Sequence, residues 1–382
     1  MVHKMKKILI STESYFPGIK GGGPVQSIGN LIKLTKQDVD YTIITANHDF
    51  GEEKKYDGIV SDDFNLFEGT EVFYSSDTLK NKNVWNLIQS DQYDIFYLND
   101  LFSSDTRIFL KNYLKSQSTK PLIIMPRGQL NQGAISIKAY KKIPYLTLFQ
   151  FVMKNKNVYY VGTSDEEVAA INKYLPGSRV FQVSNIPSIE KKVTYSSQES
   201  PDLRLVFISR ITTKKNLDYA LKVLKDVQVP VTFDIYGIIE DEAYWEMCQS
   251  IIEKMPNHIQ VAYKGICDSK DVVATLSHYD LFFFPSKSEN YGHVISEALQ
   301  ASIPVLIGDT TPWQQLETKG WGWEYPLESP EKFVATIEEY SQRSLSERNK
   351  IKEYIFENFD VAERAKSTAK QYKDLFDAVM EA

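Results

Sequence analysis

Glu289 and Glu297 stand eight positions apart in the stretch 285–304, PSKSENYGHVISEALQASIP, with Gly292 between them. The apolar spacing of Val294, Ile295, Ala298 and Leu299 suits a helix, and the short apolar runs Leu281–Phe284 and Val305–Ile307 on either side read as strands. Glu289 is then the last residue of a loop, and Glu297 lies about two turns into the helix that follows. Such a helix start aims free N–H groups and a positive dipole end into whatever cleft the loop lines. Two carboxylates beside a phosphate-favouring helix start make sense together if the ligand is a phosphate that also carries hydroxyls. A nucleotide-sugar fits that description. For an isolated pair of glutamates the ordinary reading is a solvated loop residue and an exposed helix face. Here Ser288-Glu289-Asn290-Tyr291-Gly292 follows Pro285 at a strand end, and Pro304 follows the helix, which favours the chemical reading.

A second constellation stands upstream. Ser209-Arg210-Ile211-Thr212-Thr213-Lys214-Lys215-Asn216-Leu217 directly follows the apolar run Leu203–Ile208. A forked guanidinium and a point-charge ammonium at a strand-to-helix junction can together neutralise a diphosphate. A solvated basic loop is the competing reading. A third lies near the start of the chain: a strand at Lys7–Ile10, a loop over 15–23, then Gly21-Gly22-Gly23-Pro24 opening a helix with Val25, Ile28, Leu31 and Ile32. Glycines ahead of a helix let backbone N–H groups approach phosphate. The pattern is not the dinucleotide Gly-x-Gly-x-x-Gly, and no suitably placed acid for a ribose follows it.

These three motifs, in this order, resemble the family-4 retaining glycosyltransferases, whose Glu-x7-Glu encloses an aromatic-Gly pair, here Tyr291-Gly292. The resemblance covers nearly the whole chain. It implies the GT-B fold, α/β, with two Rossmann-like domains facing each other across a cleft. It also implies a catalytic set of Glu289, Arg210 and Lys215. In that set Glu289 positions the transferred sugar, and the two cations stabilise the leaving diphosphate. The donor, with a UDP-sugar as the expectation, would be held by Gly22, Gly23, Arg210, Lys215, Gly237, Ile266, Glu289, Asn290, Tyr291, Gly292, His293 and Glu297. Within that group, Glu297 takes the ribose hydroxyls, backbone N–H groups of 291–293 take sugar and phosphate, and Gly265 leaves room for the base near Ile266. Tyr236-Gly237 followed by Glu240-Asp241 resembles the family's turn after the second strand. Two departures stand out. Ser209 replaces the usual Gly, and Pro126-Arg127-Gly128-Gln129 stands where many relatives carry a His. Arg127 either contacts an acidic or phosphorylated ligand or braces its loop. No cofactor and no metal are implied, and Asp38-Val39-Asp40 reads as a solvated turn.

Stepping along the chain, Tyr41–Thr45, Asp94–Leu98, Pro121–Met125, Val158–Tyr160 and Arg179–Val183 read as strands, with helical patterns at 136–153 and 164–174. Alternating β and α runs predict a parallel sheet covered on both faces, with ligands at the carboxyl ends of its strands. That puts Glu13, His48, Asn99, Asp100 and Arg127 on a rim, with Glu13, Asn99, Asp100 and Arg127 as the acceptor side. The polar segment 188–202 reads as a linker. A second β/α series follows at Leu203–Ile208, Val231–Tyr236, His258–Tyr263, Leu281–Phe284 and Val305–Ile307. The predicted organisation is an acceptor-side domain over 1–187 and a nucleotide-sugar domain over 203–361. A C-terminal helix over 362–382 then crosses back to the first domain, as the resemblance implies.

With 42% hydrophobic and 25% charged residues, the 382-residue chain has the balance of an ordinary globular protein with room for two cores. No apolar run approaches a membrane span, and no export signal is visible, so a cytoplasmic protein is expected, peripheral on the inner membrane face if attached at all. The net charge of −6 hides an asymmetry: residues 106–164 contain no acid and ten Lys and Arg. Within them Lys138, Tyr140, Lys141, Lys142, Tyr145, Leu146, Leu148, Phe149, Phe151, Val152 and Lys154 mix basic and apolar residues at roughly helical spacing over 138–156, as a segment lying on an anionic membrane surface does. A core-facing helix with solvated lysines is the alternative. RNA would use the same charges, but no nucleic-acid module accompanies them.

The expected function is transfer of a sugar from a nucleotide-sugar to a glycan or polyprenyl-diphosphate-linked glycan, in bacterial capsule, exopolysaccharide or lipopolysaccharide synthesis. The rivals are an epimerase or phosphorylase on the same scaffold, a nucleotide-sugar-binding protein, and a catalytically dead scaffold subunit. A phosphorylase would need a cofactor lysine motif that is not found.

Overall fold

The computed structural model describes residues 5–18, 20–189 and 202–382. Contacts divide the chain into two compact units, 1–186 with 364–382, and 187–363. From 190 to 201, the linker expected at 188–202 lies outside the described residues.

In the first unit the described strands are β1 (Lys6–Ser11), β2 (Val39–Ala46), β3 (Phe64–Phe67), β4 (Thr70–Ser75), β5 (Ile95–Leu98), β6 (Leu122–Ile124), β7 (Val158–Gly162) and β8 (Arg179–Gln182). They form one sheet in the order β3-β4-β2-β1-β5-β6-β7-β8, parallel throughout except for the antiparallel pair β3 and β4. Its central strands are buried on both faces, which is why Ile8-Leu9-Ile10 and Ile95–Leu98 read as unbroken apolar runs rather than alternating ones. β1 has β2 on one side and β5 on the other, so chain direction across the sheet reverses between β1 and β5. Ligand crevices form at such reversals. The helix Val361–Glu381 adds its C-terminal part to this unit. Tyr372 and Phe376 are buried there, Lys373 pairs with Asp38, and Asp377 pairs with Lys6.

In the second unit β9 (Leu203–Ile208), β10 (Val231–Tyr236), β11 (Ile259–Tyr263), β12 (Leu281–Phe284), β13 (Val305–Gly308) and β14 (Gly322–Tyr325) form an all-parallel sheet in the order β11-β10-β9-β12-β13-β14. The reversal falls between β9 and β12. The loops leaving those two strands carry the Arg210/Lys215 segment and the Glu289 segment.

The α/β class is as expected, and several elements differ from the sequence reading. The antiparallel pair β3–β4 and the edge strand β14 carry no clear sequence signal. The helix expected over 136–153 begins later, as Ala139–Met153, because Lys138 takes a left-handed conformation (φ 60°) ahead of it, and a separate short helix, Gln132–Ser136, precedes it. The Asp38-Val39-Asp40 segment is not a simple solvated turn: Val39 is buried as the first residue of β2, and Asp38 pairs with Lys373.

Candidate functional site

The loops after β9 and β12 are stitched together by hydrogen bonds to main-chain carbonyls. Lys287 N donates to the Lys214 carbonyl (3.0 Å), and Asn216 Nδ2 donates to the Pro285 carbonyl (2.9 Å). Asn216 takes a left-handed φ of 63° ahead of the helix Leu217–Asp226, a conformation that Asn adopts more readily than most side chains. This stitching sets Lys215 against Glu289: Nζ lies 2.6 Å from Oε1, with only 13% and 9% of the two side chains exposed. Ser286 Oγ donates to the same carboxylate oxygen (2.7 Å), and the Lys215 ammonium sits 5.5 Å from the Phe284 ring centre. Burial resists ionisation of Glu289. The charge and hydrogen bond of Lys215, the Ser286 hydroxyl and the charge of Lys214 more than offset it, so the carboxyl stays below its ordinary pKa. The pair is therefore charged, compact and largely out of water.

Arg210 is also paired, with Glu240: Nη1 to Oε2 is 2.7 Å, both side chains 43% exposed. The loops after β9 and β10 run side by side to achieve this, with Ile211 bridging Ile239 and Ser209 N donating to the Tyr236 carbonyl (3.0 Å). Gly237 is what permits the approach. Its φ is 143°, and a Cβ there would sit 1.7 Å from the Ser209 carbonyl oxygen. The adjoining Asp241 caps the helix Glu242–Ile252 through Tyr244 N (3.0 Å). A diphosphate reaching Arg210 must compete with Glu240. Glu240→Gln is expected to tighten binding of a nucleoside diphosphate by roughly twofold to fivefold, the range set by exposed ion pairs; titration calorimetry of the variant against the parent checks it.

The loop from β12 continues past Glu289 to Gly292, the left-handed N-cap (φ 75°) of the helix His293–Gln300. Glu297 is thus about one turn into that helix, not two. A Cβ at Gly292 would press on Ile295 Cδ1 at 2.8 Å. The Tyr291 carbonyl accepts from Trp313 Nε1, and the Tyr291 ring lies against His293 (4.9 Å) and Trp313 (5.5 Å), which fixes the helix start. Glu297 is half-buried and close enough to Cys267 that its charge, after burial and the charges of Asp271 and Asp268, helps raise the thiol pKa. The loop carrying Gly265 and the exposed Ile266 therefore runs near Glu297. A Cβ at Gly265 would meet nothing within 4 Å, leaving open space on that side.

The residues expected on the acceptor side lie in the first unit, together with Gly22 and Gly23. Gly22 is the N-cap (φ 61°) of the helix Gly23–Thr35, with Pro24 in its first turn. Glu13 follows β1 and is half-buried; burial, then Asp100 and Asp105, raise its pKa against the pull of Lys80. Asp100 is occupied internally: its carboxylate accepts from Ser103 N (2.9 Å), Ser103 Oγ (2.8 Å) and Thr106 Oγ1 (2.8 Å), ordering the start of the helix Ser104–Ser116. Of the two readings of Arg127, bracing is the one its contacts show. Nε donates to Asn99 Oδ1 (2.8 Å), Nη1 to Asn185 Oδ1 and Nη2 to the Tyr97 hydroxyl (3.4 Å). Gly128 N beside it donates to the buried Glu167. His48 contacts Asp77 (3.4 Å) and the Asp49 carbonyl. Among the described residues no group of His, Cys, Asp and Glu is arranged to hold a metal ion.

Sequence reasoning missed Ser286, Trp313 and the pairing role of Glu240. Ser286 had a weak signal, three residues before Glu289; Trp313 had none.

Residues 190–358 match the family model of glycosyl transferases group 1. A protein from the cps region of Klebsiella pneumoniae is 22% identical over 62% of this chain and 66% of its own length. The GtfA subunit of a UDP-N-acetylglucosamine–peptide N-acetylglucosaminyltransferase from Streptococcus pneumoniae is 25% identical over 43% of this chain and 33% of its own. The matched stretch thus spans less than two thirds of either relative. Among solved structures, Anabaena Alr3699/HepE in complex with UDP-glucose superposes with a TM-score of 0.68 at 16% identity, covering 96% of this chain and 99% of that one. WaaG, a glycosyltransferase involved in lipopolysaccharide biosynthesis, gives 0.67 at 14% identity over 97% and 99%. The shared fold is GT-B.

Proposed function

Because this chain belongs, through residues 190–358, to the glycosyl transferases of group 1, we propose that it transfers a sugar, with retention at the anomeric carbon, from a UDP-sugar to a glycan or lipid-linked glycan. The observation that carries this reading is the buried Lys215–Glu289 pair between the β9 and β12 loops, at the strand-order reversal and just ahead of the helix start at Gly292. UDP as the nucleotide is supported by the UDP and UDP-glucose complexes of HepE and the UDP complex of GtfA. A role in cell-surface polysaccharide synthesis is supported by the cps-region relative and by WaaG.

In this reading the diphosphate lies over the β9–β12 reversal, with Lys215 and Arg210 balancing the charge that grows as the sugar–phosphate bond breaks. The acceptor hydroxyl attacks on the face the diphosphate leaves, and a leaving-group oxygen takes its proton. No protein nucleophile is then needed, and the hydrolase logic of paired carboxylates does not apply. Glu289, held in place by Ser286, orients sugar hydroxyls. Glu297 takes the ribose hydroxyls. With two side-chain cations and a helix N-terminus at the phosphates, transfer runs without a metal.

The test is calorimetric titration with UDP, GDP, ADP and their common sugar conjugates, with and without EDTA. UDP is expected to bind, insensitive to EDTA, and Arg210→Ala to weaken it roughly tenfold or more, as loss of a charge-assisted contact does. A well-folded sample that binds none of these ligands overturns the reading and moves the protein to the binding-module or inactive-scaffold class.

A further inference from the structure

The helix Ala139–Met153 buries one face through Leu146, Phe149 and Met153. Its opposite face, where a surface helix is normally polar, carries Tyr140, Leu148 and Phe151, with Ile143 and Val152 on its flanks, all exposed; Phe151 is 78% exposed and Tyr140 73%. A helix apolar on all sides is ordinarily buried on all sides, so this face has a partner that is not part of its own unit's core. The charges around it indicate what kind. Lys138, Lys141 and Lys154 are exposed at its ends and flank, and no acid occurs anywhere from 106 to 164. Lys142 does not contribute: its Nζ donates to the Ala134 carbonyl (2.6 Å) and lies 5.2 Å from the Phe102 ring.

We propose that this face docks on the surface of a bilayer containing anionic phospholipid. The helix has 15 residues, too few to span a hydrocarbon core that takes about 20, and no helix among the described residues is long and apolar enough to cross a membrane. An apolar face ringed by lysines is what an interfacial helix needs: side chains to enter the acyl boundary and cations to meet headgroups. A second copy of the chain is the less favoured occupant, because a two-fold contact would press the same lysines against one another with no acid nearby. The inference goes beyond the donor-side reading and does not rest on it.

The experiment is co-sedimentation of the full chain with vesicles of phosphatidylcholine alone and of phosphatidylcholine with phosphatidylglycerol, at low and high salt. The chain is expected to pellet with the anionic vesicles and to be released by salt. Leu148→Ser with Phe151→Ser, both on the exposed face, is expected to lower the partition coefficient at least about tenfold. Lys141→Glu with Lys154→Glu is expected to do the same for anionic vesicles only. Failure of the unaltered chain to pellet with anionic vesicles overturns the proposal, as does undiminished pelleting of the serine variant. So does a lipid-independent dimer that the serine variant dissociates. UDP titration of the same samples reads the second unit separately, so failure of lipid binding and failure of the donor reading are distinguishable.

Discussion

Lys215→Met is expected to destabilise the second unit by about 3 kcal/mol at neutral pH, a cost typical of removing one member of a buried ion pair. The methionine fills the space of the lysine stem beside Phe284, so lost packing is a small part of the effect. What remains is a Glu289 carboxylate, 9% exposed, that still accepts from the Ser286 hydroxyl but has lost the ammonium beside it. The double variant Lys215→Met with Glu289→Gln removes both charges and is expected to recover most of the loss. The pH dependence follows from the depressed pKa of Glu289 in the parent. Its stabilising contribution is fully present above the ordinary glutamate pKa, about 4.3, and disappears as pH falls through the lower folded-state value. In Lys215→Met burial acts unopposed by that ammonium, the folded carboxyl takes up its proton more readily, and the deficit relative to the parent shrinks as the solution is acidified. Urea unfolding followed by tryptophan fluorescence reads this, since Trp245, Trp313, Trp321 and Trp323 all lie in the second unit. Equal stability of parent and Lys215→Met at pH 7 would show that the pair carries no such energy.

The parts of this site legible in the sequence are those governed by local rules. Strand ends at Ile208 and Phe284 follow from short apolar runs, and the presence of a helix around Glu297 follows from apolar periodicity, although its start at His293 lies about a turn later than that pattern suggests. What was not legible is who pairs with whom. Glu289 lies 74 positions from Lys215, and Glu240 lies 30 from Arg210. Both pairings depend on the strand order placing β9 beside β12 and β10, which no spacing encodes. The same limit produced the reading of Asp100 as a rim residue open to an acceptor. Its carboxylate lies at the expected strand end, but Ser103 and Thr106 fold back to occupy it. Arg127 shows the limit again, since two of its partners, Asn99 and Asn185, lie 28 and 58 positions from it and follow β5 and β8, strands that the sheet order separates by two others. Gly237 was assigned to the donor for its place in a motif, whereas the visible demand on it is the Ser209 carbonyl. The apolar side of the helix Ala139–Met153 was the harder case. Periodicity cannot say which face of an all-apolar helix meets the core, and only the packing of Leu146, Phe149 and Met153 reveals that Phe151 is left outside.

Glu289→Gln and Glu297→Ala are expected to separate chemistry from nucleotide binding. If Glu297 holds the two ribose hydroxyls, Glu297→Ala removes charge-assisted hydrogen bonds of about 1.5–3 kcal/mol and weakens UDP roughly tenfold to a hundredfold. Glu289→Gln acts differently because of its partner. With the carboxylate neutralised, Lys215 keeps its place between the β9 and β12 loops but lacks its counter-charge. A diphosphate then supplies the missing negative charge without displacing an existing ion pair. UDP affinity should therefore be unchanged or increased in Glu289→Gln, while transfer falls by about 10²–10³, the loss typical of removing an oriented group at the reacting centre. The two readouts, calorimetry with UDP and product formation from a UDP-sugar, must part in this one variant, the rate falling while the affinity holds or rises. A parallel fall of affinity and rate in Glu289→Gln would mean that the carboxylate itself contacts the nucleotide. In that case the Lys215–Glu289 pair acts as one binding unit, and sugar orientation belongs to the backbone of 291–293 at the helix start.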